Sequence, residues 1–200
     1  MTAPVFPVVD EFPITRTQRW AQVLLLLTAG GLLLLGFFVK DQVLTGTEPF
    51  RDLAAGILAR YPSGWLLDHE GNYVFRVQDP KAPAFRTALQ VAVEPIGQDA
   101  APRNILDNLT LQRAQTLAAY HVLSTVDYAL PEGDSATRME YVYVQTEANP
   151  FLQGVPAVVR GVDIVTVKRG QAIVVTFRVE ADRFDDEIWR LDQFLATLEF

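Results

Sequence analysis

VVRGVDIVTVKRGQAIVVTFRVE, residues 158–180, decides the fold. Val, Ile, Thr and Phe dominate both halves, and these β-branched and aromatic types suit a pleated, half-buried surface. Arg169-Gly170 separates the halves as a two-residue turn. Two such runs joined so tightly must lie antiparallel, so Val158–Lys168 and Gln171–Glu180 are predicted as a β-hairpin.

The same signals recur upstream. Arg138–Thr146 and His121–Tyr128 read as strands on either side of the turn cluster Pro131-Glu132-Gly133-Asp134-Ser135. Thr87–Glu94 alternates Leu89, Val91 and Val93 with other residues and stops at Pro95. Trp65–Leu67 and Tyr73–Gln78 flank the polar loop Asp68-His69-Glu70-Gly71-Asn72 and read as a further hairpin. Three segments read as helical. Phe50–Ala59 (FRDLAAGILA) is a short helix halted by Pro62 and Gly64, and Asn104–Ala119 carries Ile105, Leu106, Leu109, Leu117 and Ala118 behind Pro102. In the last, Phe184, Ile188, Leu191, Leu195 and Leu198 recur at helical spacing with Asp182 placed to cap them. The expectation is an α+β domain: a mostly antiparallel sheet of about six strands with helices packed on it.

Ahead of this domain, Trp20–Val39 (WAQVLLLLTAGGLLLLGFFV) has no charge and is bracketed by Arg19 and Lys40. Twenty helical residues cover the roughly 30 Å hydrocarbon core of a bilayer, where only a helix or a closed barrel satisfies its own backbone. A secretory signal is the rival reading. Its apolar region is shorter and ends at a small-residue cleavage site, whereas this run exits through Gly36-Phe37-Phe38-Val39-Lys40, so a retained anchor is favoured. Trp20, Phe37 and Phe38 are expected at the membrane interfaces, and Gly30, Gly31 and Gly36 are possible contact points for a neighbouring helix. Arg16 and Arg19 precede the span while Lys40 and Arg51 follow it, so charge does not orient it. The layout of a short arm before the span and a domain after it favours an extracytoplasmic domain. The expected organisation is an arm over 1–19, the span over 20–39, a linker over 40–49 and the domain over 50–200. Pro4, Pro7 and Pro13 make the arm a poor independent folder.

The arm's two arginines balance Asp10 and Glu11, so the whole formal charge of −7 falls beyond the span. No basic run exceeds Lys168-Arg169. Nucleic acid and docking on anionic lipid both need concentrated positive surface, and neither is expected as a partner. The absence of cysteine removes disulfides, thiolate nucleophiles, iron–sulfur clusters and covalent haem attachment.

Several stretches together resemble the PsbP-like proteins, which take their name from an extrinsic lumenal protein of the photosystem II oxygen-evolving complex. They are Tyr61-Pro62-Ser63-Gly64-Trp65; the helix from Asn104 to Leu109 with its continuation Tyr120-His121-Val122-Leu123; the paired strands around Gly161 to Phe177; and the ending from Leu191 to Phe200. The resemblance covers about 50–200 and is a fold pattern more than a site fingerprint. It implies an α/β/α sandwich around an antiparallel sheet and a non-enzymatic role as accessory subunit, assembly factor or binding module. The photosynthetic members are cleaved soluble proteins, so the membrane span here is a departure.

No catalytic constellation is visible. His69 and His121 are the only histidines; His69 lies between Asp68 and Glu70 in a turn, and a metal needs three or four converging ligands. Asp185-Asp186-Glu187 fits the positive end of the last helix better than acid–base or calcium chemistry. Ser63, Ser124 and Ser135 lack a nucleophile-elbow setting, and no phosphate-binding glycine loop occurs. Asn108-Leu109-Thr110 matches a glycosylation sequon inside a predicted helix. Trp65 and Trp189 are expected in the core. Accordingly, no catalytic, cofactor or metal residues are expected. The expected role is a single-pass accessory subunit of a membrane protein complex, electron-transfer or photosynthetic, with lipid and other subunits as partners. The rival role is a free-standing, envelope-tethered binding or assembly domain.

Overall fold

The computed structural model describes residues 16–81, 85–96, 101–146 and 156–200. Most of the expected N-terminal arm, Pro4, Pro7 and Pro13 included, lies outside these residues. The chain divides into two compact units, Met1–Thr45 and Gly46–Phe200.

The first unit contributes one helix, α1 (Arg16–Thr45). Its apolar portion satisfies the length and hydropathy of a membrane span, and none of it is buried. An exposed run this apolar fits a membrane anchor, since a bilayer is the solvent that matches it. The Thr28 hydroxyl donates to the Leu24 carbonyl at 2.9 Å, so this polar group is satisfied within the helix. Trp20, Phe37 and Phe38 are all exposed, and a Cβ added at Gly30, Gly31 or Gly36 would touch nothing within 4 Å.

The second unit is α+β. A two-stranded sheet pairs β1 (Thr47–Asp52) with β2 (Ile57–Pro62). The main sheet has seven strands: β3 (Leu66–Asp68), β4 (Phe75–Gln78), β5 (Ala88–Pro95), β6 (Ala118–Ala129), β7 (Ser135–Gln145), β8 (Ala157–Lys168) and β9 (Gln171–Glu180). They lie in the order β3-β4-β5-β9-β8-β7-β6 and every neighbouring pair is antiparallel. The 158–180 stretch forms the predicted hairpin at the middle of the sheet. Lys168 pairs Gln171, and Arg169 (φ 54°) and Gly170 (φ 76°) take the left-handed conformations a tight hairpin turn demands.

The helix expected over Phe50–Ala59 is not formed. Asp52 Oδ1 accepts the backbone N–H groups of Ala54 and Ala55 at 2.8 and 3.0 Å, and Gly56 (φ 70°) completes a turn that folds the segment into β1 and β2. Ile57, Ala59 and Tyr61 are buried on alternating positions, so the burial period is two. The last helix is broken as well. A 3₁₀ turn (Ala181–Arg183) leads into α3 (Phe184–Glu187) and α4 (Trp189–Leu195), and no side chain caps any of them, Asp182 included.

Two cores flank the sheet. On one face α3, α4 and the β1–β2 pair cover Phe75, Leu89, Val91, Val162, Val175 and Phe177. On the other, α2 (Pro102–Thr116) sets Ile105 and Leu106 against Met139, Tyr141, Val159, Val165 and Val174. The arrangement is the expected α/β/α sandwich.

Candidate functional site

The face beneath α2 contains the polar chemistry of the domain. The apolar stripe of α2 passes through Leu106 and Leu109, and helical spacing places Arg113 on it. Asp163 is the one acidic residue in β8 and is fully buried. Arg113 meets it with both terminal nitrogens, Nη1 to Oδ2 and Nη2 to Oδ1, the latter at 3.0 Å. Thr176, beside Asp163 on β9, donates its hydroxyl to Oδ1 at 2.8 Å. Burial disfavours the guanidinium charge, yet the Asp163 carboxylate outweighs this and raises the Arg113 pKa above its ordinary value. The two-point contact bonds the helix to the sheet.

Tyrosines surround it. Arg113 Cζ lies 4.5 Å above the Tyr141 ring; Tyr143 stacks beside Tyr141 with centroids 6.2 Å apart, and Tyr120 packs tilted against it at 5.4 Å. Burial above all raises the pKa values of Tyr141 and Tyr143, with Arg178 opposing the shift in both. The hydroxyls of Tyr120 and Tyr141 are buried with no hydrogen-bond partner. A groove of about 400 Å³ opens along α2, lined by Glu94, Ile96, Asn104, Asn108 and Gln112.

The opposite face carries a second charge cluster. Glu187 is buried and meets Arg183 and Arg190, whose Nε is 2.8 Å from Oε2 in a geometry too bent for a hydrogen bond. Arg190 Cζ lies 5.5 Å from the Trp65 ring and 4.9 Å from that of Trp189. Trp65 is in the core as expected; Trp189 is not, remaining 37% exposed because the break before α4 turns it outward over Arg190. Of the acidic triplet, Asp185 and Asp186 are exposed in the first turn of α3 while Glu187 is tied to the arginines. Glu140 binds Arg138 at 2.7 Å and Arg160 at 2.8 Å; burial opposes its charge, and the two arginines still hold its pKa below the ordinary value.

The histidines and serines do not meet. The His69 ring stacks on Phe50 with centroids 5.8 Å apart and its Nδ1 lies 3.4 Å from the Val74 carbonyl, while His121 stands exposed on β6. Ser63, Ser124 and Ser135 are exposed, and among the described residues no serine hydroxyl is hydrogen-bonded to a histidine. No group of three or more acidic or histidine side chains among the described residues is placed to hold a metal. Asn108 lies on α2, within the helix that the sequon was expected to occupy. Arg113 is the residue that sequence reasoning missed. A lone arginine on an apolar helical stripe and a lone aspartate in the run 158–168 were the available signals.

No protein-family model and no curated protein sequence matches the chain. Its fold is that of PsbP: the solution structure of the cyanobacterial PsbP protein CyanoP, from Synechocystis sp. PCC 6803, superposes with a TM-score of 0.57 at 16% identity, over 78% of this chain and 93% of that one. LpqN of Mycobacterium tuberculosis, involved in cell envelope biogenesis, matches with a TM-score of 0.49 at 14% identity, over 76% and 84%. PA94 of Pseudomonas aeruginosa, a protein of unknown function, matches with 0.48 at 14%, over 77% and 96%.

Proposed function

We propose that a PsbP-like domain held at a membrane by α1 serves as a non-catalytic accessory subunit, stabilising a larger membrane protein complex. The carrying observation is the union of an unburied apolar helix with a domain in which most half-buried charged side chains are occupied by another part of the fold. Catalytic groups need a free functional end; Arg113, Asp163 and Glu140 are engaged by hydrogen-bonded ion pairs. Gly30, Gly31 and Gly36 leave the α1 backbone open to close approach by another helix, and Trp20, Phe37 and Phe38 fix its depth. The fold shared with CyanoP favours a photosynthetic or electron-transfer assembly as the host, and the layout of the chain favours an extracytoplasmic domain. Native membranes solubilised in mild detergent and separated by size test the reading. Co-migration with a stable set of larger subunits is expected; migration only as a monomer would overturn it.

The rival reading, an envelope-tethered binding domain, is favoured by one observation: the groove of about 400 Å³ that opens along α2. It predicts a ligand without stoichiometric protein partners.

A further inference from the structure

The seven-stranded sheet ends differently on its two sides. At one end β3 has three residues, and its Asp68 is tied to Arg76 on β4. At the other end β6 has twelve, AAYHVLSTVDYA, and among the described residues it pairs only with β7. An open strand edge presents unpaired N–H and C=O groups, and folds blunt such edges with short strands, Lys, Pro or bulges. β6 contains no Lys, Arg or Pro, and Asp127 is its one carboxylate. Its bulges are confined to the first half, where the register against β7 shifts between Ala118 and His121 and again between Val122 and Ser124. From Ser124 to Ala129 the register runs unbroken opposite Glu140 to Ser135. The straight half is the unprotected one, and Val126 in the middle of it is 51% exposed.

A second copy of the chain fits this edge in one register. Directly opposite residues of an antiparallel pair share a face, so a strand that pairs with its own copy across a two-fold axis pivots on one of its residues. Pivots at Ser124 or Thr125 draw the bulged half into the pairing. A pivot at Asp127 sets two carboxylates opposite each other, which is destabilising. Pivots at Tyr128 or Ala129 run the pairing into the turn that starts at Leu130, whose N–H is bonded to the Asp134 carbonyl. Val126 remains. About it, the exposed Val126 side chains of the two copies meet, Ser124 lies opposite Tyr128, and Thr125 lies opposite Asp127. Thr125 and Asp127 share a face of β6, being paired with Met139 and Thr137 on β7. The Thr125 hydroxyl is a donor for the Asp127 carboxylate, and the two-fold axis makes this pair twice. The two Asp127 carboxylates stand diagonally from one another, each beside a hydroxyl.

We propose that two copies of the chain pair antiparallel through Ser124–Tyr128 of β6, two-fold about Val126, so that their main sheets join edge to edge. The pairing satisfies the open backbone groups of the straight half and buries Val126 against its symmetry mate. It is a property of the purified chain and stands separately from membership of a larger complex.

The full chain in neutral detergent tests this by sedimentation velocity over a range of concentrations, and the absence of native cysteine permits a register test by cross-linking. A concentration-dependent dimer is expected. Val126→Lys, which sets like charges opposite each other at an exposed position, should raise its Kd about tenfold or more while leaving Tm unchanged. In the proposed register the Cβ atoms at the pivot lie about 4.5–5.5 Å apart, so Val126→Cys should be joined by a short bismaleimide. Ser124→Cys stands four residues from its symmetry mate, about 13 Å along the strand, and should be joined far less. A chain that sediments as a monomer at every concentration overturns the proposal. So does a dimer that Val126→Lys leaves equally tight, which is held elsewhere, α1 included, or equal cross-linking of the two cysteine variants.

Discussion

Tyr141 on β7 stands in register with Gly161 on β8, and its ring lies where a side chain at 161 would project. A single missing Cβ therefore seats the tyrosine that Arg113 covers and Tyr120 and Tyr143 flank. Gly161→Ala is expected to destabilise the domain by about 1–3 kcal/mol, the range for overpacking a filled core. Urea denaturation of Gly161→Ala, Tyr141→Val and the double variant measures the coupling. Strictly additive effects would show that the ring does not need the notch.

Removing one partner of the Arg113–Asp163 pair leaves a buried charge unmatched. Asp163→Ala is expected to cost about 3–5 kcal/mol, and Arg113→Met together with Asp163→Leu less than Asp163→Ala alone. Equilibrium unfolding of the three proteins decides it; equal losses in the single and double variants would mean that the cost is packing and not charge.

Asp68 is held at a pKa of about 2, chiefly by the Tyr73 hydroxyl at 2.7 Å and also by the Glu70 N–H and Arg76. A depressed carboxylate favours the folded state above its ordinary pKa of 3.8, and that contribution fades as pH falls toward 2. Tyr73→Phe should therefore bring acid unfolding to higher pH while leaving thermal stability at pH 7 less affected. Circular dichroism during acid titration reads the difference, and coincident curves would exclude Asp68 as a contributor.

At the alkaline end the sign reverses. Tyr61, Tyr73, Tyr141 and Tyr143 all have pKa values raised above 10.0, burial being the largest cause in each. Their protonated forms favour folding below pH 10, and this stability is lost as pH rises beyond it. Absorbance at the tyrosinate band should show part of the six tyrosines titrating only with unfolding. Complete ionisation in the folded protein would contradict the buried seam.

A charge in the middle of α1 should prevent stable insertion. Leu32→Arg adds about 2.5–3.5 kcal/mol to the transfer of the helix into the bilayer. The variant is expected to shift toward the fraction extractable with alkaline carbonate. A reporter joined after Phe200 that is active only outside the cytoplasm would test the proposed side of the membrane, and activity of a cytoplasmic reporter would reverse it.

The anchor, the central hairpin and the antiparallel sheet follow from the sequence because each rests on local or periodic chemistry. Twenty uncharged residues suit only an apolar solvent, Arg169-Gly170 admits one kind of hairpin, and alternating Val and Ile mark a pleated face. Phe50–Ala59 reads as helix from sequence because its apolar residues satisfy both periods; the Asp52 turn and burial against Phe75, whose ring centroid is 4.1 Å from that of Phe50, choose between them. Trp189 faces outward for a related reason, since a break in a helix rotates every later residue. What only the tertiary structure decided is which distant side chains share a face. Arg113 meets Asp163 across fifty positions, and Tyr141 finds Gly161. Those relationships depend on strand order and register, which set neighbours in space independently of their separation along the chain.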